Sequence, residues 1–238
     1  MAPAKQIIAV IREQTNPKKA KLLQGFFKTG PGQYGEGDIF WGLTVPQSRL
    51  IAKKYKDLNL VETKKLLQSK IHEIRLIALL ILVEKFTHPT LKLRMVNQKN
   101  IVNFYLKNIK YINNWDLVDL TASKILGTWL LDKDPAILYK LVKSKNLWER
   151  RIAMIATYAF IKKNNFKHTL KLAEILLNDQ HDLMHKAVGW MLREMGKQSK
   201  VDLINFLGKY TLKMPRTMLR YSIERLPEKQ RKLYLNKK

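Results

Sequence analysis

Arg75-Leu76-Ile77-Ala78-Leu79-Leu80-Ile81-Leu82-Val83 is the stretch from which the fold can be read. Leu76, Leu79, Leu80 and Val83 stand at i, i+3, i+4 and i+7, the spacing that gathers apolar side chains on one face of an α-helix. Its opening, a basic residue followed by small and apolar ones, returns as Arg151-Ile152-Ala153-Met154, Lys186-Ala187-Val188-Gly189 and Arg220-Tyr221-Ser222-Ile223. Lys186 follows Arg151 by 35 residues and Arg220 follows Lys186 by 34. Arg75 and Arg151 lie 76 residues apart, which leaves room for one further unit, and Trp115-Asp116-Leu117-Val118-Asp119-Leu120-Thr121-Ala122 is the candidate. A period of this size in helical sequence marks a solenoid of helical hairpins, in which each pair buries its face against the next. Such a stack curves, and equivalent slots of successive repeats line one concave groove.

Outward from these repeats, helical spacing continues and strand signals are weak. The pattern predicts helices over 4–14, 17–28, 46–57, 60–70, 72–87, 90–110, 114–131, 134–144, 146–163, 166–178, 181–196, 199–211, 215–225 and 228–236. Pro17, Pro46, Pro89, Pro135, Pro215 and Pro227 sit where these helices start or stop. The expectation is an all-α chain forming one domain over 1–238. A helical N-terminal part with a glycine-rich loop (1–45) precedes the repeats (46–238).

Composition narrows the partner. The 238 residues are 46% hydrophobic, enough for a buried core. Lys and Arg number 45 against 19 Asp and Glu, a net charge of +26. An excess that large calls for a polyanion, nucleic acid first and an anionic membrane surface second. There are no cysteines, which excludes disulfides, thiolate metal sites and thiol catalysis. No apolar run approaches the ~18 residues of a membrane span, and no leader is visible behind Met1. A cytoplasmic protein is expected. The lysine clusters at Lys53-Lys54, Lys64-Lys65, Lys143/Lys145/Arg150 and Lys162-Lys163 read as replaceable phosphate contacts.

Two motif matches fail on context. Gly30-Pro31-Gly32-Gln33-Tyr34-Gly35 fits the G-x-G-x-x-G pattern, but a helix precedes it and no βαβ unit follows. The segment from Gly30 to Trp41 reads instead as a mobile loop able to close over a ligand, with Tyr34 and Trp41 as stacking faces. His181-Asp182-Leu183-Met184-His185 has two histidines one turn apart but no third ligand at the expected spacing, so a helix start is the better reading. No metal or cofactor is expected.

The informative position is an exception. Where the other repeats carry Arg75, Arg151, Lys186 and Arg220, the central one carries Asp119. A lone carboxylate in a cationic groove suits a phosphate backbone held around one acid-dependent event. The alternative is an ion pair between Asp119 and Arg151 one repeat away, and both readings stand open. Trp115, Trp148 and Trp190 lie one helical turn from Asp119, Arg151 and Lys186. Trp129 and Trp148 read as core, Trp115 and Trp190 as lining the groove, where they would stack on sugars or bases.

Together these strings resemble the AlkD-type DNA alkylation repair proteins, the bacterial alkylpurine DNA glycosylases built from HEAT-like repeats. The resemblance spans residues 20 to 225. It rests on Lys28-Thr-Gly-Pro-Gly-Gln-Tyr-Gly-Glu-Gly-Asp38, Val45-Pro-Gln-Ser-Arg49, Trp115-Asp-Leu-Val-Asp119, Trp148-Glu-Arg-Arg-Ile-Ala153 and Lys186-Ala-Val-Gly-Trp-Met-Leu-Arg193. It implies a right-handed solenoid of HEAT-like hairpins with a concave basic groove, and a monofunctional glycosylase that hydrolyses the bond to N3- or N7-alkylated purines. It also implies a monomer that needs no cofactor or metal and acts on double-stranded DNA carrying cationic alkylated bases, with no membrane partner. The resemblance places the carboxylate at Asp119, the tryptophans at Trp115 and Trp190 and the supporting arginine at Arg151. It puts Phe26 where the family has a tyrosine on an N-terminal helix. Lys186, Arg150, Arg193, Arg75 and Arg220 are the expected DNA-binding cations. The rival to excision is a non-catalytic solenoid that recognises bent or branched DNA, and a scaffold for acidic proteins or RNA comes third.

Overall fold

The computed structural model describes residues 3–87 and 94–237. Two compact units result, Met1–Thr121 and Ala122–Lys238. Among the described residues no strand forms, and the sole β-type contact is a parallel bridge between Ile39 and Ile71. No described helix is long and apolar enough to cross a membrane.

The first unit is organised around one helix. Its elements are α1 (Ala4–Arg12), α2 (Pro17–Phe26), α3 (Val45–Lys54), α4 (Leu60–Leu67), α5 (His72–Thr87), α6 (Arg94–Lys107), a 3-10 turn at Ile109–Tyr111 and α7 (Trp115–Asp119). Every residue of α5 from His72 to Val83 is buried. A helix apolar on all sides needs neighbours on all sides, and α3, α4, α6 and α7 all pack on it. Helix starts follow local chemistry. Asn16 caps α2 by accepting from the Lys19 N–H at 3.0 Å, with Pro17 at the first position. Thr44 and Gln47 form a reciprocal capping box on α3. Asn59 caps α4. The Glu62 carboxylate of α4 accepts from the Ala4 N–H at 2.7 Å and so holds the start of α1.

The second unit holds the repeats that begin at Arg151, Lys186 and Arg220, and the strings at Arg75 and Trp115 lie in the first. A π-helical turn (Ser123–Gly127) leads to α8 (Ala136–Leu141), α9 (Leu147–Ala156), α10 (Tyr158–Ile161), α11 (Lys167–Ile175), a 3-10 turn at Leu176–Asn178, α12 (Asp182–Gln198), α13 (Lys200–Tyr210), α14 (Arg216–Ile223) and α15 (Glu228–Leu235). The strings beginning at Arg151, Lys186 and Arg220 fall on α9, α12 and α14, and α12 packs against both of the others. This is the nearest-neighbour stacking of a helical-repeat fold. Small residues set the spacing: a Cβ built on Gly189 would lie 2.6 Å from the Met218 carbonyl oxygen and 2.5 Å from the Tyr221 Cβ.

Helix positions agree closely with the periodicity, and Pro17, Pro46, Pro135, Pro215 and Pro227 all stand at helix starts. Pro89 and the expected start of the 90–110 helix lie outside the described residues. Two expected helices are interrupted. The span 114–131 ends its first segment at Asp119 and resumes as the π turn, where the Gly127 N–H donates to the Ala122 carbonyl and the Thr128 hydroxyl to that of Ser123. The span 146–163 breaks at Thr157, whose hydroxyl takes the Met154 carbonyl at 2.7 Å in competition with the helix. Trp129 and Trp148, expected in the core, are half-buried. Trp129 takes the Lys133 ammonium over its ring at 4.0 Å.

The π turn meets α9 and α10 at Gly127. A Cβ there would lie 2.2 Å from the Ala156 carbonyl oxygen and 2.9 Å from the Ala159 Cβ. The backbone carbonyl cannot rotate away, so Gly127→Ala should destabilise the protein by about 1–3 kcal/mol. Gly208→Ala on α13, with nothing within 4 Å of the new methyl, should be stabilising by up to about 1 kcal/mol. Urea unfolding of the two variants checks the pair. Equal midpoints would mean that this close approach does not constrain the fold.

Candidate nucleic-acid interface

The best-defined polar arrangement in the molecule lies in the first unit, under the start of α7. Three polar residues, Asn113, Asn114 and Asp116, with Trp115 among them, must begin a helix inside a largely apolar unit. Asn114 is fully buried and its carbonyl accepts from the Trp115 N–H at 2.8 Å, while Asp116 accepts from the Leu117 N–H at 2.8 Å. Their remaining polar atoms find partners from elsewhere in the chain. His72, the first residue of α5, sets Nε2 2.8 Å from an Asp116 carboxylate oxygen and Nδ1 3.1 Å from Asp38. Both neighbours are carboxylates, so both ring nitrogens donate and the imidazole is charged. Arg75 donates to the other Asp38 oxygen at 2.6 Å and to the Ser69 carbonyl at 3.0 Å. The side-chain amides of Asn113 and Asn114 also donate to Asp38, at 3.3 and 3.2 Å.

Each charge here is held by its opposite. Burial opposes ionisation of His72, but the Asp116 charge and the hydrogen bonds the ring donates to both carboxylates outweigh it and push the ring up to about 9. Burial also opposes the Asp38 carboxylate, but the His72 bond and the Arg75 charge hold it below the usual range. Burying such a group without its partners would cost several kcal/mol.

The network ties the glycine-rich segment to α7. Asp38 closes that segment, and its internal bonds include Gly35 N–H to the Lys28 carbonyl, Gly30 N–H to Gln33 and Gly32 N–H to Glu36. Just beyond it, the buried Glu73 carboxylate receives the N–H groups of Trp41, Gly42 and Leu43. Gly42 has φ 86°, and its Cα faces the Asn16 carbonyl so closely that a Cβ would lie 2.2 Å away. In place of the free lid expected from sequence, residues 30–41 form a tied strap whose far end supports α7.

Above the network is an aromatic stack. Phe27 lies between Phe40 (5.0 Å, 17°) and Trp115 (5.1 Å, 20°), and Phe40 stacks on the His72 ring at 4.5 Å. Phe26 meets Trp115 edge-on at 5.9 Å and is 64% exposed. Trp115 and Asp119 open and close α7, one turn apart, and both are half-buried. Beneath them the Tyr105 phenol is sealed and hydrogen-bonded to Thr121 at 3.0 Å. Its burial, opposed by that bond and reinforced by the Asp119 charge, raises it far above the ordinary phenol range. This unit thus brings Phe26, Trp115 and Asp119 together from the expected residues. Arg75, expected as a DNA-binding cation, is 4% exposed and committed to Asp38, so it is a structural cation and not a phosphate contact.

In the second unit Arg151 is 4% exposed and donates to the Leu183 carbonyl, while Trp190 is half-buried with its ring 6.4 Å from that of Tyr158. Arg150 is turned inward on Asp179 at 2.6 Å and on the carbonyls of Ser144 and Lys145. Arg193 bonds Glu224 and lies 3.4 Å from Glu194. Lys186 is paired with Asp182 at 2.7 Å and two-fifths exposed, and Arg220 is exposed. His181 caps α12 by accepting from the Leu183 N–H. Among the described residues no group of three His, Asp or Glu side chains is arranged to hold a metal ion.

The charges of the His72 network make stability depend on pH. A raised histidine stabilises fully below its unfolded value of 6.5 and loses that contribution as pH rises through about 9. The depressed Asp38 contributes above 3.8 and loses it as pH falls. Urea midpoints should therefore be flat near pH 5 to 6 and fall toward about pH 9.5, by of the order of 3 kcal/mol in stability. In His72→Asn that alkaline decline should be absent. An equal decline in both proteins would show that the ring is neutral in the fold.

Comparison with known proteins identifies the setting of this interface. Residues 7–226 match the family model described as DNA alkylation repair enzyme. No curated protein matches the chain. A solved structure titled as a predicted DNA alkylation repair enzyme from Enterococcus faecalis superposes with a TM-score of 0.70 over 90% of this chain and 98% of that one, at 18% identity, which shows a shared fold. With the family match goes an enzyme's role in repairing alkylation damage and DNA as the partner. By nearly its whole length, the chain belongs to the DNA alkylation repair enzymes.

Proposed function

We propose that the protein is a DNA glycosylase that releases N3- and N7-alkylated purines from duplex DNA, with Asp119 as its catalytic group. The observation that carries this reading is the pairing on α7: a half-buried carboxylate one turn from a half-buried tryptophan, in a chain of the alkylation repair family. Alkylation at N3 or N7 gives the purine a positive charge, so it departs as a neutral base with the electrons of the C1′–N bond. The sugar becomes oxocarbenium-like and water must add to C1′. A carboxylate of restricted exposure stabilises that cation by Coulomb attraction, which weakens less there than in bulk water, and orients the water by accepting its hydrogen bond. The proton of the added water passes to the carboxylate and then to solvent.

The face of Trp115 offers its quadrupole to the same cation. Phe27 and Phe40 stacked behind it fix the ring, so little freedom is lost when the sugar arrives. Phe26 keeps an aromatic surface beside Trp115 but lacks a hydroxyl, so it can contribute contact area and no hydrogen bond. For Trp190 we assign a second aromatic face, and for Arg151 a supporting positive charge. Lys186 and Arg220 serve as phosphate contacts, and Arg150 and Arg193 shape the surface around them through Asp179 and Glu224.

Release of 7-methylguanine from methylated duplex by the wild type and by Asp119→Asn tests the assignment. The variant should be slower by about 10²-fold or more, and equal rates would dispose of it. Binding to undamaged duplex should weaken by roughly 10³-fold between about 50 and 200 mM salt if some six phosphates are neutralised. A flat salt response would contradict a phosphate-directed interface.

A further inference from the structure

His72 is 1% exposed and can touch no DNA, yet it reaches α7 by two routes. One is polar: Nε2 lies 2.8 Å from the Asp116 carboxylate and Nδ1 3.1 Å from that of Asp38. The other is aromatic: the ring stacks on Phe40 at 4.5 Å and lies 5.1 Å from Phe27, which in turn stacks on Trp115. The charged groups acting on the ring are Asp38 from the strap, Asp116 from α7 and Arg75 one turn along its own helix.

The two carboxylates are held unequally. Asp38 also receives Arg75, Asn113 and Asn114. Asp116 turns one oxygen to the Leu117 N–H inside α7, and the ring binds the other. A doubly protonated ring donates to both acids. After losing one proton it keeps a single N–H, and its other nitrogen points a lone pair at a carboxylate oxygen. Two buried acceptors in contact repel each other, and the medium does little to screen them. Asp38 keeps three other donors, so Asp116 is the side that yields. Asn114 stays bonded to Asp38 and forms the pivot. Trp115 stands between that pivot and Asp116, and Asp119 follows Asp116 by three residues on the same helix face. A swing about Asn114 therefore displaces both members of the pair.

We propose that protonated His72 is a positioning residue: by holding Asp116 it sets the angle of α7 and hence the places of Trp115 and Asp119, and its deprotonation misplaces both while the unit stays folded. The proposal deepens the reading above, because it rests on Trp115 and Asp119 as the working part of the site.

Two measurements test it, and one is independent of excision. The first compares single-turnover release of 7-methylguanine by the wild type and by His72→Asn, as a ratio at each pH so that titration of the substrate cancels. Asparagine brings a donor near the position of Nδ1 but nothing to that of Nε2, so Asp116 is released at every pH. Near about pH 7 the variant should be slower by about 10²-fold, the effect of misplacing reacting groups by about 1 Å. As the wild-type ring loses its proton, the ratio should shrink about tenfold by about pH 10. Circular dichroism at each pH confines the comparison to folded protein. A ratio near one at neutral pH, or one constant across the range, would overturn the proposal.

The second is fluorine NMR of DNA-free protein labelled with fluorotryptophan, the Trp115 signal being identified by its loss in Trp115→Phe. That signal should move over the same alkaline range in the wild type and hold its alkaline position throughout in His72→Asn, while the signals of Trp129 and Trp190 stay in place. A Trp115 signal indifferent to pH would contradict the proposal, and the wild type alone gives this result should the variant not fold. Absence of excision with a moving Trp115 signal would sink the glycosylase reading alone. Excision with a fixed Trp115 signal would sink this one alone.

Discussion

A charged imidazole ring between two buried carboxylates holds the first unit in order. His72 begins the central helix, Asp38 ends the glycine-rich strap and Asp116 starts the short helix that carries Trp115 and Asp119. Other bonds join the same segments, among them the Ile39–Ile71 bridge and the N–H groups of residues 41–43 on Glu73, and the His72 network adds α7 to that joint. A five-residue helix is far too short to be stable by itself, and Trp115 would have no fixed direction without it. The network converts sequence-distant polar residues into a rigid footing, with Arg75 balancing the second negative charge. Its strength depends on completeness, since each member alone would be a buried charge in a poor medium.

The footing also explains how a broad surface could serve chemistry that needs little machinery. A cationic alkylated base is already a good leaving group, so on the proposed reading the protein's task is to hold an electron-rich face and a carboxylate steady near the sugar. Phe27, Phe40 and His72 stack in series behind Trp115, and the Tyr105–Thr121 pair lies under the Asp119 end. Rigidity is thus built from the core outward. The outermost members, Phe26 and Leu22, remain exposed on α2.

Much of this was legible in the sequence, for local reasons. The repeat of Arg151, Lys186 and Arg220 reports which helices stack, because each repeat needs the same small and apolar residues at the same contact. Prolines and Asn or Thr caps mark helix starts because they act through the nearest backbone. Asp119 was visible as the acid in a cationic register. The His72 network was not, because its bonds join residues 34 and 44 positions apart and no periodicity records them. The one available signal was the pairing of Asp38 with a polar Asn113-to-Asp116 run too hydrophilic for a core helix start. Arg75 misled for the same reason: it shares a register with the other basic slots, but a carboxylate from the N-terminal strap claims it. The π turn at Ser123–Gly127 ends where Gly127 comes close to Ala156 and Ala159, an approach that an apolar stripe cannot announce.

The central claim is that this cationic protein breaks a sugar–base bond. Its most direct measurement is mass spectrometry of what the wild type liberates from alkylated duplex DNA. The account requires free N3- or N7-alkylpurine in the small-molecule fraction and, in equal amount, abasic sites in the strand. Tight binding with every modified base still attached would contradict it.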